Sequence, residues 1–129
     1  MRKSPLSTSA LQLGSITIEA ADPQILAAFW ACAAGGEPAG SDSDVFLQTD
    51  AANGLRFHFH RSSKTPGGDQ KTHLDFRVAW GQRQGEVDRL TALGARLRWE
   101  VLDEHPGMRL TVLADPEDNL FCVVEVQSA

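Results

Sequence analysis

The chain has 129 residues, an apolar fraction of 42%, a charged fraction of 22% and a formal net charge of −5. That length suits one domain with a core large enough to need no covalent staples, and the acidic balance excludes the basic footprint of a nucleic-acid binder. Cys32 and Cys122 are too few and too far apart for a disulfide framework or a short-spaced metal motif, so a cytoplasmic setting is expected. No apolar run has the length of a signal peptide or a membrane span.

Residues 1–10 read as an N-terminal tail, and residues 11–129 as a single domain. In residues 12–19 Ile16 and Ile18 alternate with Ser15, Thr17 and Glu19, the period of a half-buried strand. Asp22-Pro23 then starts a helix, with a capping carboxylate before proline in the first turn. Ile25, Leu26, Phe29 and Ala33 recur at helical spacing, and Gly35-Gly36 ends the run. Residues 37–44 are polar and read as a loop or a short, poor edge strand. Residues 45–49 form a strand, Asn53-Gly54 a hairpin turn, and residues 55–60 the return strand, with Phe57 and Phe59 on one face and His58 and His60 on the other.

Residues 61–70 are a connector containing Pro66-Gly67-Gly68. In residues 71–78 Leu74, Phe76 and Val78 face one way, and His73, Asp75 and Arg77 the other. Such a polar row either lines a pocket or is a solvated face with Asp75 and Arg77 paired. A second helix covers residues 86–93 and stops at Gly94. Three strands follow at 95–101, 108–113 and 120–126, the last after an Asp115-Pro116-Glu117-Asp118-Asn119 turn.

The order strand–helix–strands occurs twice. Laid without gaps, residues 16–36 match 74–94, with Ile16 on Leu74, Ile18 on Phe76, Phe29 on Val87 and Gly36 on Gly94. A βαβββ duplication is expected, with module one at 11–62 and module two at 71–126. If each helix covers one face of its sheet, the remaining faces can curl together around a cleft. The fold class is therefore α+β, two βαβββ modules forming an open, curled mixed sheet.

These modules, the first helix (Asp22-Pro23 through Phe29-Trp30), the His73-Leu74-Asp75-Phe76 strand and the tail from Leu113 to Val124 resemble the vicinal oxygen chelate superfamily. It groups glyoxalase I, extradiol dioxygenases, fosfomycin-resistance enzymes and bleomycin-resistance proteins, and its glyoxalase-like branch is the nearest in pattern. One departure is Asp118, where the family usually has glycine at a left-handed turn. Metal-using members draw four ligands from the first and last strands of each module. Carried over, those positions are Ser15, His60 (with His58 one pleat away), His73 and Cys122, the last standing where such members have Glu.

The resemblance thus implies a cleft lined by Ser15, His58, His60, His73, Asp75, Arg77, Trp99, Arg109 and Cys122. Trp99 or Phe46 would supply apolar contact, and Arg77 or Arg109 an anchor for an anion. His60 and His73, taken as lying on adjacent strands, are the candidate ligands for a divalent ion such as Zn, Fe, Ni or Mn. Ser15 is a poor ligand and the usual Glu is missing, so no resident metal is the first expectation. No Gly-x-Ser-x-Gly or spaced Cys–His motif supports nucleophilic catalysis. The expected function is binding of a small organic molecule. The alternative is a metal-dependent lyase, isomerase or dioxygenase using His60 and His73. The same resemblance implies a homodimer, and neither nucleic acid nor membrane is an expected partner.

Overall fold

The computed structural model describes residues 9–50, 54–63 and 70–127. Most of the expected tail, Asn53 of the hairpin turn and the Pro66-Gly67-Gly68 connector lie outside the described residues. The first module contains β1 (Ile16–Ala20), α1 (Pro23–Ala34), β2 (Ala39–Gly40), β3 (Asp44–Gln48) and β4 (Arg56–Arg61). The second contains β5 (Leu74–Ala79), α2 (Arg83–Leu93), β6 (Arg96–Val101), β7 (Met108–Ala114) and β8 (Leu120–Val126). Each module is one mixed four-stranded sheet, ordered β1-β4-β3-β2 in the first and β5-β8-β7-β6 in the second. The first strand pairs parallel with the last in both, and the other pairs are antiparallel.

The duplication is written into the register. Ile16 pairs with Phe57 in β1/β4, and Leu74 pairs with Phe121 in β5/β8. The next step places Thr17 beside His58 and Asp75 beside Cys122. Each helix packs on its own sheet. Helix α1 starts as its sequence dictates, with the Asp22 carboxylate accepting the Ile25 N–H at 3.2 Å and Pro23 in the first turn. Gly36 sits at φ +100, where a Cβ would lie 2.2 Å from the Gln48 carbonyl oxygen, so no other residue fits that turn.

One side chain joins the modules. Trp30 of α1 is buried against Phe57 of its own sheet and against Phe76 and Phe121 of the other, at ring separations of 5.2, 5.7 and 4.9 Å. Its indole N–H donates to Asp115 Oδ2 at 3.1 Å. Asp115 also accepts from the Glu117 and Asn119 backbone N–H groups and from the Asn119 side chain, which knits the β7–β8 turn together. Asp118 in this turn has φ +70, and among the described residues it alone takes positive φ without being glycine. Phe57, Phe59 and Phe121 are fully buried, each contributing roughly 1.5–3 kcal/mol of hydrophobic stabilisation.

Element boundaries differ from expectation at two places that matter for the site. β1 begins at Ile16 and β5 at Leu74, so Ser15 and His73 precede their strands. Helix α2 begins at Arg83, not residue 86, because the Arg83 side chain is drawn under the helix. There it meets Glu125 at 3.0 Å, Glu100 at 2.9 Å and Thr111 Oγ1 at 2.6 Å. A buried guanidinium needs such partners, and that tertiary network recruits the first turn.

Candidate functional site

Strand alternation leaves one face of each sheet free of its helix. In module one the register lines up Thr17, His58 and Phe46 in one row, and Glu19, His60 and Asp44 in the next. In module two the corresponding rows are Asp75, Cys122, Val112 and Trp99, then Arg77, Val124, Leu110 and Val101. The same fold positions therefore carry opposite chemistry. Module one presents titratable groups, whereas module two presents an apolar floor edged by Asp75 and Arg77 on one side and by Trp99, 47% exposed, on the other.

The polar face of module one is organised by Asp44. Its Oδ1 meets His58 Nε2 and His60 Nδ1, each at 2.7 Å, and its Oδ2 accepts from Ser43 Oγ at 3.1 Å. Hydrogen bonds from His60 and then His58 hold the Asp44 carboxyl down at about 2. His58 stacks on Phe46 with ring centroids 4.4 Å apart, and its Nδ1 lies 3.3 Å from Thr17 Oγ1. Sequence reasoning missed Asp44, which it placed at the end of a loop. Asp44 shares a face with Phe46 by simple alternation, but only the β3/β4 register reveals that it lies opposite His60.

On module two, burial and then the hydrogen bond to Asp75 push the Cys122 thiol up to about 12. Cys122 is thus a neutral, buried group beside an exposed carboxylate. Among the described residues Arg77 takes part in no ion pair, so it is not the partner of Asp75. A cavity of about 1250 Å³ runs along the unpaired edge of β5 toward β1. Ile16, Trp30, Leu74 and Phe76 give it apolar walls, and Asp75 and Arg77 reach it from the strand edge.

Three expectations are corrected by this geometry. His60 and His73 are not on adjacent strands: β4 pairs with β1 and β3, whereas His73 is an exposed residue preceding β5 of the other sheet. His58, not His60, is the counterpart of Cys122, because the two registers superpose Thr17–His58 on Asp75–Cys122. Arg109 pairs with Glu125, whose carboxylate meets Arg83 under α2, so Arg109 lies on the helix side of its sheet, stacked 4.7 Å from the Trp80 ring. Trp99 does share a face with Cys122, after a bulge between Leu97 and Trp99.

The four ligand positions implied by the resemblance do not make a metal centre here. Ser15 offers only a hydroxyl, the Nδ1 of His60 is turned to Asp44, His73 stands at the other sheet, and Cys122 holds its proton. No reaction step through a metal at those four positions is supported by these donors.

Comparison with known proteins bears on the fold. The family profile described as "Glyoxalase-like domain" matches residues 15–124. A glyoxalase/bleomycin resistance protein/dioxygenase family enzyme from Burkholderia phytofirmans superposes with a TM-score of 0.74 at 23% identity, covering 90% of this chain and 99% of that one. The fosfomycin resistance protein FosX from Listeria monocytogenes superposes with a TM-score of 0.74 at 19% identity, covering 91% and 94%. A variant of that FosX, crystallised with Mn(II) and 1S,2S-dihydroxypropylphosphonic acid, gives a TM-score of 0.71 at 20% identity, covering 87% of each chain. At these identities the likeness shows the fold. No curated protein matches the chain.

Proposed function

The chain belongs to the glyoxalase-like domain family, and from that premise we propose that it binds a small organic anion at the junction of its two modules. The observation that carries this reading is the cavity beside β5, apolar on Ile16, Trp30, Leu74 and Phe76 and edged by Asp75 and Arg77. Ligand sites combine apolar walls with a few placed polar groups, and Arg77 is a forked donor suited to a carboxylate, phosphate or phosphonate. On this reading residues 11–129 act as one domain, and Asp75 joins Arg77 where the strand edge meets the cavity.

Binding without a metal at the family's positions is favoured over the lyase, isomerase or dioxygenase alternative. That alternative draws support from the Mn(II)-containing FosX, but here it would need His60 and His73 to converge from separate sheets. A homodimer in the cytoplasm is part of the proposal. The edges of β1 and β5, which pair with no further strand among the described residues, and the exposed Leu97 and Trp99 support a second copy completing the cleft. No helix among the described residues is long and apolar enough to cross a membrane.

A thermal-shift screen with small organic carboxylates, phosphates and phosphonates tests the reading. A hit should raise the melting temperature of the wild type and lose that effect in Arg77→Ala, with the unliganded melting temperature little changed. A hit that survives this substitution would place binding elsewhere.

A further inference from the structure

Module one carries a second constellation that the small-molecule reading does not use. Asp44 Oδ1, His58 Nε2 and His60 Nδ1 all lie within 4.8 Å of one another. This proximity follows from the strands. His58 and His60 are two residues apart on β4 and so share a face, and Asp44 on β3 lies directly opposite His60 and diagonal to His58. Two imidazoles and one carboxylate form a donor set for first-row divalent ions, and three protein ligands on an open face leave further positions to solvent.

Their surroundings also fit a ligand set. Phe46 stacks on the His58 ring at an interplanar angle of 12° and fixes its plane. Thr17 Oγ1 contacts the far nitrogen of that ring, Nδ1. Ser43 Oγ donates to the far oxygen of Asp44, Oδ2. Ligating histidines and carboxylates are typically held in this way through their outer atoms. The Thr17 hydroxyl suits both states of the ring. With no ion, His58 Nε2 pairs with Asp44 and Nδ1 with the Thr17 hydroxyl. With an ion on Nε2, the proton sits on Nδ1 and Thr17 accepts it, because a hydroxyl does either. Glu19, next to His60 in the β1/β4 register, adds negative charge on the same face.

We propose that Asp44, His58 and His60 bind one divalent transition-metal ion of the zinc, cobalt or iron(II) class on the open face of module one. This site lies between β3 and β4 of a single sheet. It does not involve Ser15, His73 or Cys122, nor the cavity beside Arg77, and it stands or falls separately from the small-molecule reading.

The test uses untagged full-length protein titrated with Zn(II) by calorimetry and with Co(II) by absorption spectroscopy. One ion per chain is expected, with cobalt d–d bands and no thiolate-to-cobalt charge transfer. Asp44→Asn and His60→Ala, both at partly exposed side chains and checked for folding by circular dichroism, should abolish stoichiometric uptake. Thr17→Val should weaken it about 10-fold, the scale for losing an outer contact to a ligand. His73→Ala should leave uptake unchanged. No uptake of either ion, uptake intact in Asp44→Asn and His60→Ala, loss in His73→Ala, or a thiolate band from Cys122 or Cys32 would each overturn the proposal.

Discussion

His58 and Cys122 occupy the same place in the two modules, each on the last strand, each one residue beyond a phenylalanine that pairs with the first strand. His58 is held by Thr17 and Asp44, whereas Cys122 is held by Asp75 and by burial. The duplicated frame has thus diverged to an imidazole on one side and a protonated thiol on the other, which is why the pseudo-symmetry of the fold does not carry over into a symmetric ligand set.

A chemical consequence follows for the thiols. With its pKa pushed up to about 12, Cys122 is thiolate to roughly one part in 10⁴ near pH 8, and the thiolate is the reactive form. Cys32 lies exposed on α1. Iodoacetamide should therefore modify native protein once, at Cys32, and reach Cys122 only after urea unfolding, as peptide mass mapping will show. Equal rates at both cysteines in folded protein would contradict the placement of Cys122.

Asp115 ties Trp30 to the β7–β8 turn, and all its oxygen acceptors face donors. Burial raises its pKa, and the hydrogen bonds from Asn119, Trp30 and Glu117 oppose that rise by favouring the charged form. Asp115→Asn turns an amide N–H₂ toward groups that are already donors. A loss of about 2–3 kcal/mol is expected in urea denaturation, the scale of a buried polar group left mispaired. Trp30→Phe, which removes only the indole donor from this set and shrinks the packing, should cost stability without changing far-UV circular dichroism.

Much of the fold was legible because the local signals agree. Asp22-Pro23 starts α1, Gly35-Gly36 and Gly94 end the helices, and the alternation around Phe57, Phe59, Leu74 and Phe76 assigns the faces. The gapless match of residues 16–36 to 74–94 anticipated the shared register of the two sheets. The site was less legible because it depends on cross-strand offsets. A two-residue offset decides whether His58 or His60 answers Cys122, and only the β3/β4 pairing shows that Asp44 faces His60. Arg109 was misplaced for a related reason. Its face is set by pairing with Glu125, and the alternation of β7 alone is ambiguous where Thr111 to Ala114 are all buried. The early start of α2 has no local cap signal, since Gln82 makes no side-chain capping bond.

Glu117 offers a test of how module two holds module one. Its carboxylate accepts the backbone N–H groups of Ala21 at 2.6 Å and Asp22 at 2.9 Å, just before α1. A negative group there also complements the positive end of the helix. Glu117→Gln keeps one acceptor and loses the charge, so it should cost about 1 kcal/mol. Glu117→Ala loses both bonds and should cost about 2 kcal/mol. Hydrogen exchange at Ala21 and Asp22 should accelerate in the same order. Unchanged exchange in Glu117→Ala would show that this contact does not anchor the helix.

The network under α2 gives the sharpest energetic contrast. Arg83 is buried and binds Glu125, which is more deeply buried, together with Glu100 and Thr111. Glu125 also accepts the Gly81 N–H at 2.5 Å, so it anchors the turn that leads into the helix. Removing one partner of a buried pair strands the other charge, and Arg83→Met should cost about 3–5 kcal/mol. Replacing both, as in Arg83→Met with Glu125→Gln, leaves an uncharged acceptor for Gly81 and no stranded carboxylate at that position. The double variant should be more stable than Arg83→Met alone, although Glu100 loses its cation in both. Chemical denaturation of the single and double variants measures the difference, and a double variant no more stable than the single would mean that charge burial is not the dominant cost in this network.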